Sequence, residues 1–288
     1  MELLRKLFGR RAKPEPVASE KEITAFFASV DSYVSLSEQI PLPLLNELMT
    51  AYFSECEETI VSEQGTLDKF VGDAMVAFFG APQNQPDHAL RACVAALILQ
   101  KRIARLREKF SRDETKWPDI VRRIRVRIGI NSGVALVGSL GAATPPNLTL
   151  MGDNVNLAAR LEKSAKSYGA WIVCTGQTKV GCDVADSNRI LSRSLGKIVV
   201  KGRIDPVLLY EPMAFGSEAT DELRECVNLF EQGLARYRES DWDGAAKHFR
   251  KCAALEPRNA GNERNPSIVF LEWVEQARQN PPNPAFLL

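Results

Sequence analysis

The first clear pattern along the chain is a continuous apolar run, Ile23–Val30 (ITAFFASV), preceded by charged residues. A short, unbroken, β-rich run predicts a strand buried on both faces. Asp31–Ser35 leads on from it to a helix from Pro41 to about Val61, where Leu44, Leu45, Leu48, Tyr52, Phe53 and Ile60 recur at helical spacing. Residues 65–80, GTLDKFVGDAMVAFFG, then read as two strands, Thr66–Val71 and Ala74–Phe79, joined at Gly72-Asp73. A Gly-containing step of that length between β-rich runs signals a hairpin. A second amphipathic helix spans His88 to about Phe110, with Leu90, Val94, Leu97, Ile98 and Leu106 as its stripe. Residues 111–122 are polar and broken by proline, as a loop is.

Further on, Arg123–Asn131 (RIRVRIGIN) alternates charged and apolar residues and predicts a half-exposed strand. Ser132–Val137 is expected as a separate strand after a turn, and 141–147 as a loop. A helix over Asn154–Lys166, a strand at Trp171–Thr175 and a late hairpin of Ile198–Val200 with Val207–Glu211 follow. Strands interspersed with helices predict an α/β sandwich on one mixed sheet. After a linker at 214–221 the pattern becomes helical only. Leu223–Tyr237 and Trp242–Leu255 form a helical hairpin with Gly233, Ala245, Phe249 and Pro257 spaced as in a tetratricopeptide unit. A single such unit leaves a face uncovered, so it is expected to dock on the first domain or on a partner. Three segments result: a basic and linker stretch at 1–19, a domain at 20–213, and a helical tail at 222–288 ending in an extended QNPPNPAFLL.

Composition narrows the function classes. Thirty-seven basic residues against 36 acidic ones argue against a nucleic-acid binder, which carries a basic excess. The six cysteines are scattered without metal-ligand or disulfide spacing, which predicts buried, reduced thiols and a cytoplasmic setting. The opening MELLRKLFGRRAK is too short and too charged to span a bilayer. The chain is therefore expected to be soluble, or the cytosolic portion of a longer membrane-anchored protein. Asp73 at the hairpin bend and Lys69 four residues before it are the candidate chemistry. Either the pair fills a turn and a solvated strand position, or it meets a bound cation and a polyphosphate.

Five motifs in order, FFASVDSYVSLSE, GTLDKFVGDAMVAFFGAP, RIGINSGVALVGSLG, LMGDNVNLAARLE and VKGRIDPVLLYE, resemble the catalytic domain of the class III nucleotidyl cyclases over roughly residues 20–213. The tail resembles those of bacterial members, particularly those with a sensor and membrane helices upstream. The resemblance implies a ferredoxin-like sandwich, a mixed sheet flanked by helices, that dimerises head to tail around shared nucleotide sites. It implies attack of the ribose 3′-oxygen of ATP on the α-phosphorus, two divalent ions (Mg2+ or Mn2+), and pyrophosphate release. Asp73 matches a metal-binding aspartate, and Asn156 and Arg160 match the transition-state pair, one turn apart on a helix. Lys69 and Thr149 match the base-selecting pair in an adenine-type combination, the lysine donating to the ring nitrogen and the hydroxyl accepting from the amine.

One position departs from the family pattern. Ser29 stands where the other metal-binding aspartate is expected, leaving the Val30 carbonyl as a neighbouring ligand; Asp31, two residues on, is read as a helix N-cap rather than a replacement ligand. The expected function is an adenylate cyclase impaired by Ser29. The alternatives are a silent ATP-binding scaffold, the base-binding half of a heterodimer in place of a homodimer, and, more weakly, a guanylate cyclase.

Overall fold

The computed structural model describes residues 18–139, 148–198, 205–256 and 264–280. The expectations for the basic N-terminal stretch, the 141–147 loop, residues 199–200, Pro257 and the end of the tail lie outside them. β1 (Ser19–Val30) is the central strand, and Ile23, Ala25, Phe26 and Ala28 are fully buried, as its unbroken apolar run requires. It pairs antiparallel with β3 (Ala74–Phe79) on one side and with β4 (Val126–Ser139) on the other. β2 (Thr66–Val71) completes the expected hairpin, its Val71 opposite Ala74, so the turn is Gly72-Asp73 alone. With β6 (Ile172–Thr175), β7 (Ile190–Ile198) and β8 (Val207–Phe215) the sheet runs β2-β3-β1-β4-β6-β8-β7, and β5 (Leu148–Met151) pairs with β4. Only the β4–β6 pairing is parallel among these described strands.

Several expectations are corrected. β1 starts at Ser19, inside the stretch expected as linker, because Ser19 to Glu22 pair with Val137 to Val134 of β4. β4 does not turn at Ser132; its pairing with β1 runs through Asn131, Ser132 and Gly133 without interruption. Ser132 is instead stitched inward, its amide donating to Thr178 Oγ1 at 2.9 Å and its hydroxyl sharing a 2.7 Å hydrogen bond with Thr24.

On one face of the sheet, α1 (Tyr33–Gln39), α2 (Leu42–Ser62) and α3 (His88–Ser111) cover a core that includes Phe26, Ile128, Tyr52 and Leu97. A one-turn helix, α4 (Asp119–Arg122), interrupts the segment expected as loop. The other face carries α5 (Asp153–Ser164) and the tail. α6 (Gly176–Asp186) was absent from the sequence reading, and β7 was anticipated only at its last residue, Ile198, which pairs with Val207 as the expected late hairpin requires. α6 buries only Thr178 and Cys182, too little to show a stripe. β7 is shifted in register at two places against β8 and carries Arg193 at its centre, which hides its strand pattern.

The tail has three helices among the described residues: α7 (Asp221–Arg238), α8 (Trp242–Leu255) and an unanticipated α9 (Pro266–Gln279), capped by Asn265 accepting from the Ile268 amide at 3.0 Å. Phe230 packs edge-on to Phe249 and Phe270, with centroids 5.2 and 4.9 Å away. These rings share one core with Leu157, Leu161, Val173, Leu195 and Leu209, so the tail docks on the first domain. A buried ion triad crosses that seam. Arg193 of β7 reaches Glu211 of β8 at 2.7 Å and Glu256, just past α8, at 2.5 Å, and Ser267 of α9 donates to Glu256.

The position of α5 follows from one glycine. A Cβ at Gly129 of β4 would lie 2.2 Å from the Glu162 amide nitrogen and 2.3 Å from the Ala158 carbonyl oxygen. Helix backbone thus rests directly on strand backbone, and neither atom sits on a side chain able to swing aside. Gly129→Ala is expected to lower the unfolding free energy by about 3 kcal/mol or more, beyond an ordinary overpacked core, as measured by urea denaturation.

Candidate functional site

The Gly72-Asp73 turn places a carboxylate against the end of β1. Gly72 sits at φ +62, where a side chain is disfavoured, and allows the two-residue turn. Asp73 Oδ2 then accepts the Val30 amide at 3.0 Å. Ser29, Val30 and Asp73 are therefore brought together, as the sequence reading expects. The Ser29 hydroxyl, almost fully buried, donates to the carboxylate of Glu162, which descends from α5. Burial raises Glu162 above the ordinary carboxylate range, against the opposing pull of Ser29 and Arg127, and Asp73 adds to the rise. Burial also raises Asp73, while its own amide, that of Val30, and Arg127 pull it down.

Asp31 is not a helix cap. The residue before α1 is Ser32, and the Asp31 carboxylate is held by the Arg127 guanidinium, itself mostly buried. Arg127 Nε lies 4.0 Å from Glu162 and has no hydrogen-bond acceptor among the described residues. Glu162 and Arg127 were missed as site residues. The signal for Glu162 was faint, a charge four residues after Ala158 on a helix face that is otherwise apolar. Arg127 looked like the exposed half of an alternating strand.

These groups do not fit a pair of divalent ions held by one chain. Such ions take several oxygen donors free to turn toward them. Here Asp73 is the one aspartate in position, Ser29 is neutral with its proton committed to Glu162, and a guanidinium holds Asp31. Elsewhere in the described residues, Cys226, Cys252 and Glu256 bring donor atoms within 4.8 Å of one another, but they are buried in the tail.

The second cluster stands on β2 and β5. The pairing of β2 with β3 is shifted between Leu67 and Lys69, leaving Asp68 as the extra residue of a bulge. A bulge lets consecutive side chains reach one target instead of opposite faces. Both do so: Thr149 Oγ1 accepts from Lys69 Nζ at 3.2 Å and donates to Asp68 Oδ2 at 3.0 Å. Lys69 remains half exposed, whereas the Asp68 side chain is 5 % exposed. Sequence reading found Lys69 and Thr149 and missed Asp68, because nothing in an alternating strand announces a bulge.

Asn156 and Arg160 lie one turn apart on α5. Ala158 and Glu162 face the sheet, so Asn156 and Arg160 project on the opposite side, the first exposed and the second half-buried. That places the pair on a separate surface from Asp73 within the chain.

Residues 15–211 match the family described as adenylate and guanylate cyclase catalytic domain. The chain is similar to adenylate cyclase 1 of Rhizobium meliloti, 32% identical over 204 residues, covering 71% of this chain and 28% of the relative. It is similar to the adenylate cyclase of Anabaena cylindrica, 29% identical over 199 residues, covering 68% of this chain and 38% of the relative. The chain thus spans well under half the length of these curated relatives. Among solved structures, the adenylyl cyclase CyaB of P. aeruginosa superimposes with a TM-score of 0.60 at 30% identity, over 68% of this chain and 96% of that one. The guanylyl cyclase Cya2 shares the fold, with a TM-score of 0.59 at 24% identity over 70% and 97% of the two chains.

The raised Glu162 makes a pH-dependent contribution of known sign. A carboxyl whose folded value lies above its unfolded one favours the fold while protonated, and that contribution is lost as pH climbs through the raised value. Glu162→Gln removes the charged form. The stability of the variant relative to the natural chain is expected to rise as pH goes from about 4 to about 7, read from thermal unfolding across that range.

Proposed function

Because the chain belongs to the adenylate and guanylate cyclase catalytic domain family, we propose that it directs ATP to cyclic AMP and pyrophosphate at a site shared by two copies, with turnover held down by Ser29. The Asp68–Thr149–Lys69 cluster carries the choice of base. Asp68 accepts the Thr149 hydroxyl hydrogen and Lys69 donates to one lone pair, so the threonine oxygen keeps its other lone pair for an incoming donor. Adenine offers an amine to that oxygen and a ring nitrogen to Lys69. Guanine presents a carbonyl oxygen where the amine would be, and would meet an acceptor with an acceptor.

In this reading the two faces of the chain serve different sites. Lys69, Thr149, Asn156 and Arg160 of one copy address base and α-phosphate, with the amide and guanidinium meeting the charge that develops there. Asp73 and the end of β1 of the other copy lie toward the triphosphate. The outward projection of Asn156 and Arg160, on a different surface from Asp73, supports a head-to-tail pair. The family implies divalent metal ions, and Ser29 bonded to Glu162 supports a weakened metal position rather than a second, compensating ligand. The helical tail is read as a tetratricopeptide-like cap on this domain. The same weakness favours one rival, a silent ATP-binding module or heterodimer half.

Cyclic AMP formation by the natural chain and by Ser29→Asp, each with magnesium and with manganese, separates these. The variant is expected to gain at least tenfold in turnover. ATP binding with no turnover in either protein would leave the silent module standing. Asp68→Asn is expected to reduce the preference for ATP over GTP by about tenfold, the scale of one hydrogen bond to a charged group, in paired binding titrations.

A further inference from the structure

At the seam between the first domain and the tail lies a cavity of about 280 Å³, bounded by α3, the start of β4, the residue before β6, the end of β8 and the start of α9. Its size admits a small organic molecule rather than a nucleotide. The wall is apolar in part, with Leu97, Ile172, Met213 and Phe215, and strongly basic at one end, with Arg107 of α3 and Arg125 ahead of β4.

Two donors there have nothing to donate to. Arg107 Nε and Trp171 Nε1 are both shielded from solvent and find no hydrogen-bond acceptor among the described residues. A buried donor left unmatched costs about 1–3 kcal/mol, so native structures seldom tolerate two on one wall. The carboxylates that line the same cavity are already engaged elsewhere. Glu211 and Glu256 are bound by Arg193, and Glu218 by Lys101. Arg125 lies with its guanidinium over the Trp171 ring, 5.7 Å from the centroid. Burial, followed by the neighbouring charge of Arg107, lowers Arg125 to about 10. The unmatched Arg107 and Trp171 donors are what an anion relieves, with the Arg125 guanidinium adding positive charge beside them.

We propose that this cavity binds a small oxyanion, a carboxylate or phosphate, held by Arg107, Arg125 and the Trp171 indole, with room beside it for a compact apolar body. The site is distinct from the base cluster on β2 and β5. It adjoins the Ser29–Asp73 cluster through the backbone: the Asp31 amide donates to the Arg125 carbonyl at 2.8 Å, two residues before Arg127.

The test is a titration of the full chain with benzoate and, separately, with inorganic phosphate, followed through the indole N–H resonance of Trp171, which Trp171→Phe identifies by its loss. Saturable movement of that resonance is expected with at least one of the two anions. Benzoate alone would mark the apolar body as required, and phosphate alone or both would mark the charge as sufficient. Arg107→Gln is expected to weaken binding about tenfold or more, whereas Arg236→Gln, an exposed arginine on the tail, is expected to leave it unchanged. Should Arg107→Gln misfold, Trp171→Phe, followed by calorimetry, serves in its place with a smaller loss. No saturable shift up to about 10 mM of either anion, or equal binding in the natural chain and the Arg107 variant, would overturn the proposal.

Discussion

The contact between α5 and β4 at Gly129 governs the geometry of the candidate site. With no side chain between them, helix and strand meet backbone to backbone, and the rotation of α5 about its axis is set. That rotation turns Glu162 down onto Ser29 and turns Asn156 and Arg160 away from the sheet. Had the helix stood a side chain's width higher, Glu162 would not reach the end of β1, and its charge would have no reason to be buried. A single residue without a side chain therefore separates an inward carboxylate from an outward amide and guanidinium on the same three turns.

The inward side shows how a missing carboxylate is accommodated. Ser29 donates a hydrogen bond to Glu162, Asp73 accepts one from the Val30 amide, and Arg127 balances Asp31. The serine and the three carboxylates have each found a neighbour without a second aspartate, and Arg127 Nε alone of this cluster is left without an acceptor among the described residues. The outward side has a different character. Lys69 and Thr149 are accessible, and Thr149 is oriented by a buried partner, Asp68, which fixes which way its hydroxyl points. One region is closed on itself, and the other keeps its lysine and hydroxyl within reach of solvent.

What could be read from the chain alone depended on range. The hairpin at residues 66–79 was legible to the residue, because strand patterns and a two-residue Gly-Asp turn are local signals. The shared face of Asn156 and Arg160 followed from helical spacing. Lys69 and Thr149, 80 residues apart, were paired only through family likeness, and the structure does join them. The Ser29–Glu162 bond, the Arg127–Asp31 pair and the bulge at Asp68 were not legible, since each depends on which strand lies beside which. The docking of the tail was anticipated from its uncovered face, yet α9 was not, although Asn265-Pro266 is a helix-start signal. Most of β7 escaped for a plainer reason: a buried arginine at its centre reads as a solvated residue until its two carboxylates come into view.

That arginine has a consequence for how the chain can be divided. Arg193 and Glu211 belong to the sheet, while Glu256 and Ser267 belong to the tail, so the charge balance of the interior is completed only when both are present. Removing one partner of a buried ion pair is far more damaging than replacing the whole set with apolar groups. A tail exchanged for another that lacks an acid at this position would leave a guanidinium short of a counter-charge inside the protein. A cut between the end of β8 at Phe215 and the start of α7 at Asp221 thus parts Arg193 from one of its two carboxylates, and the two pieces are expected to be stable only together.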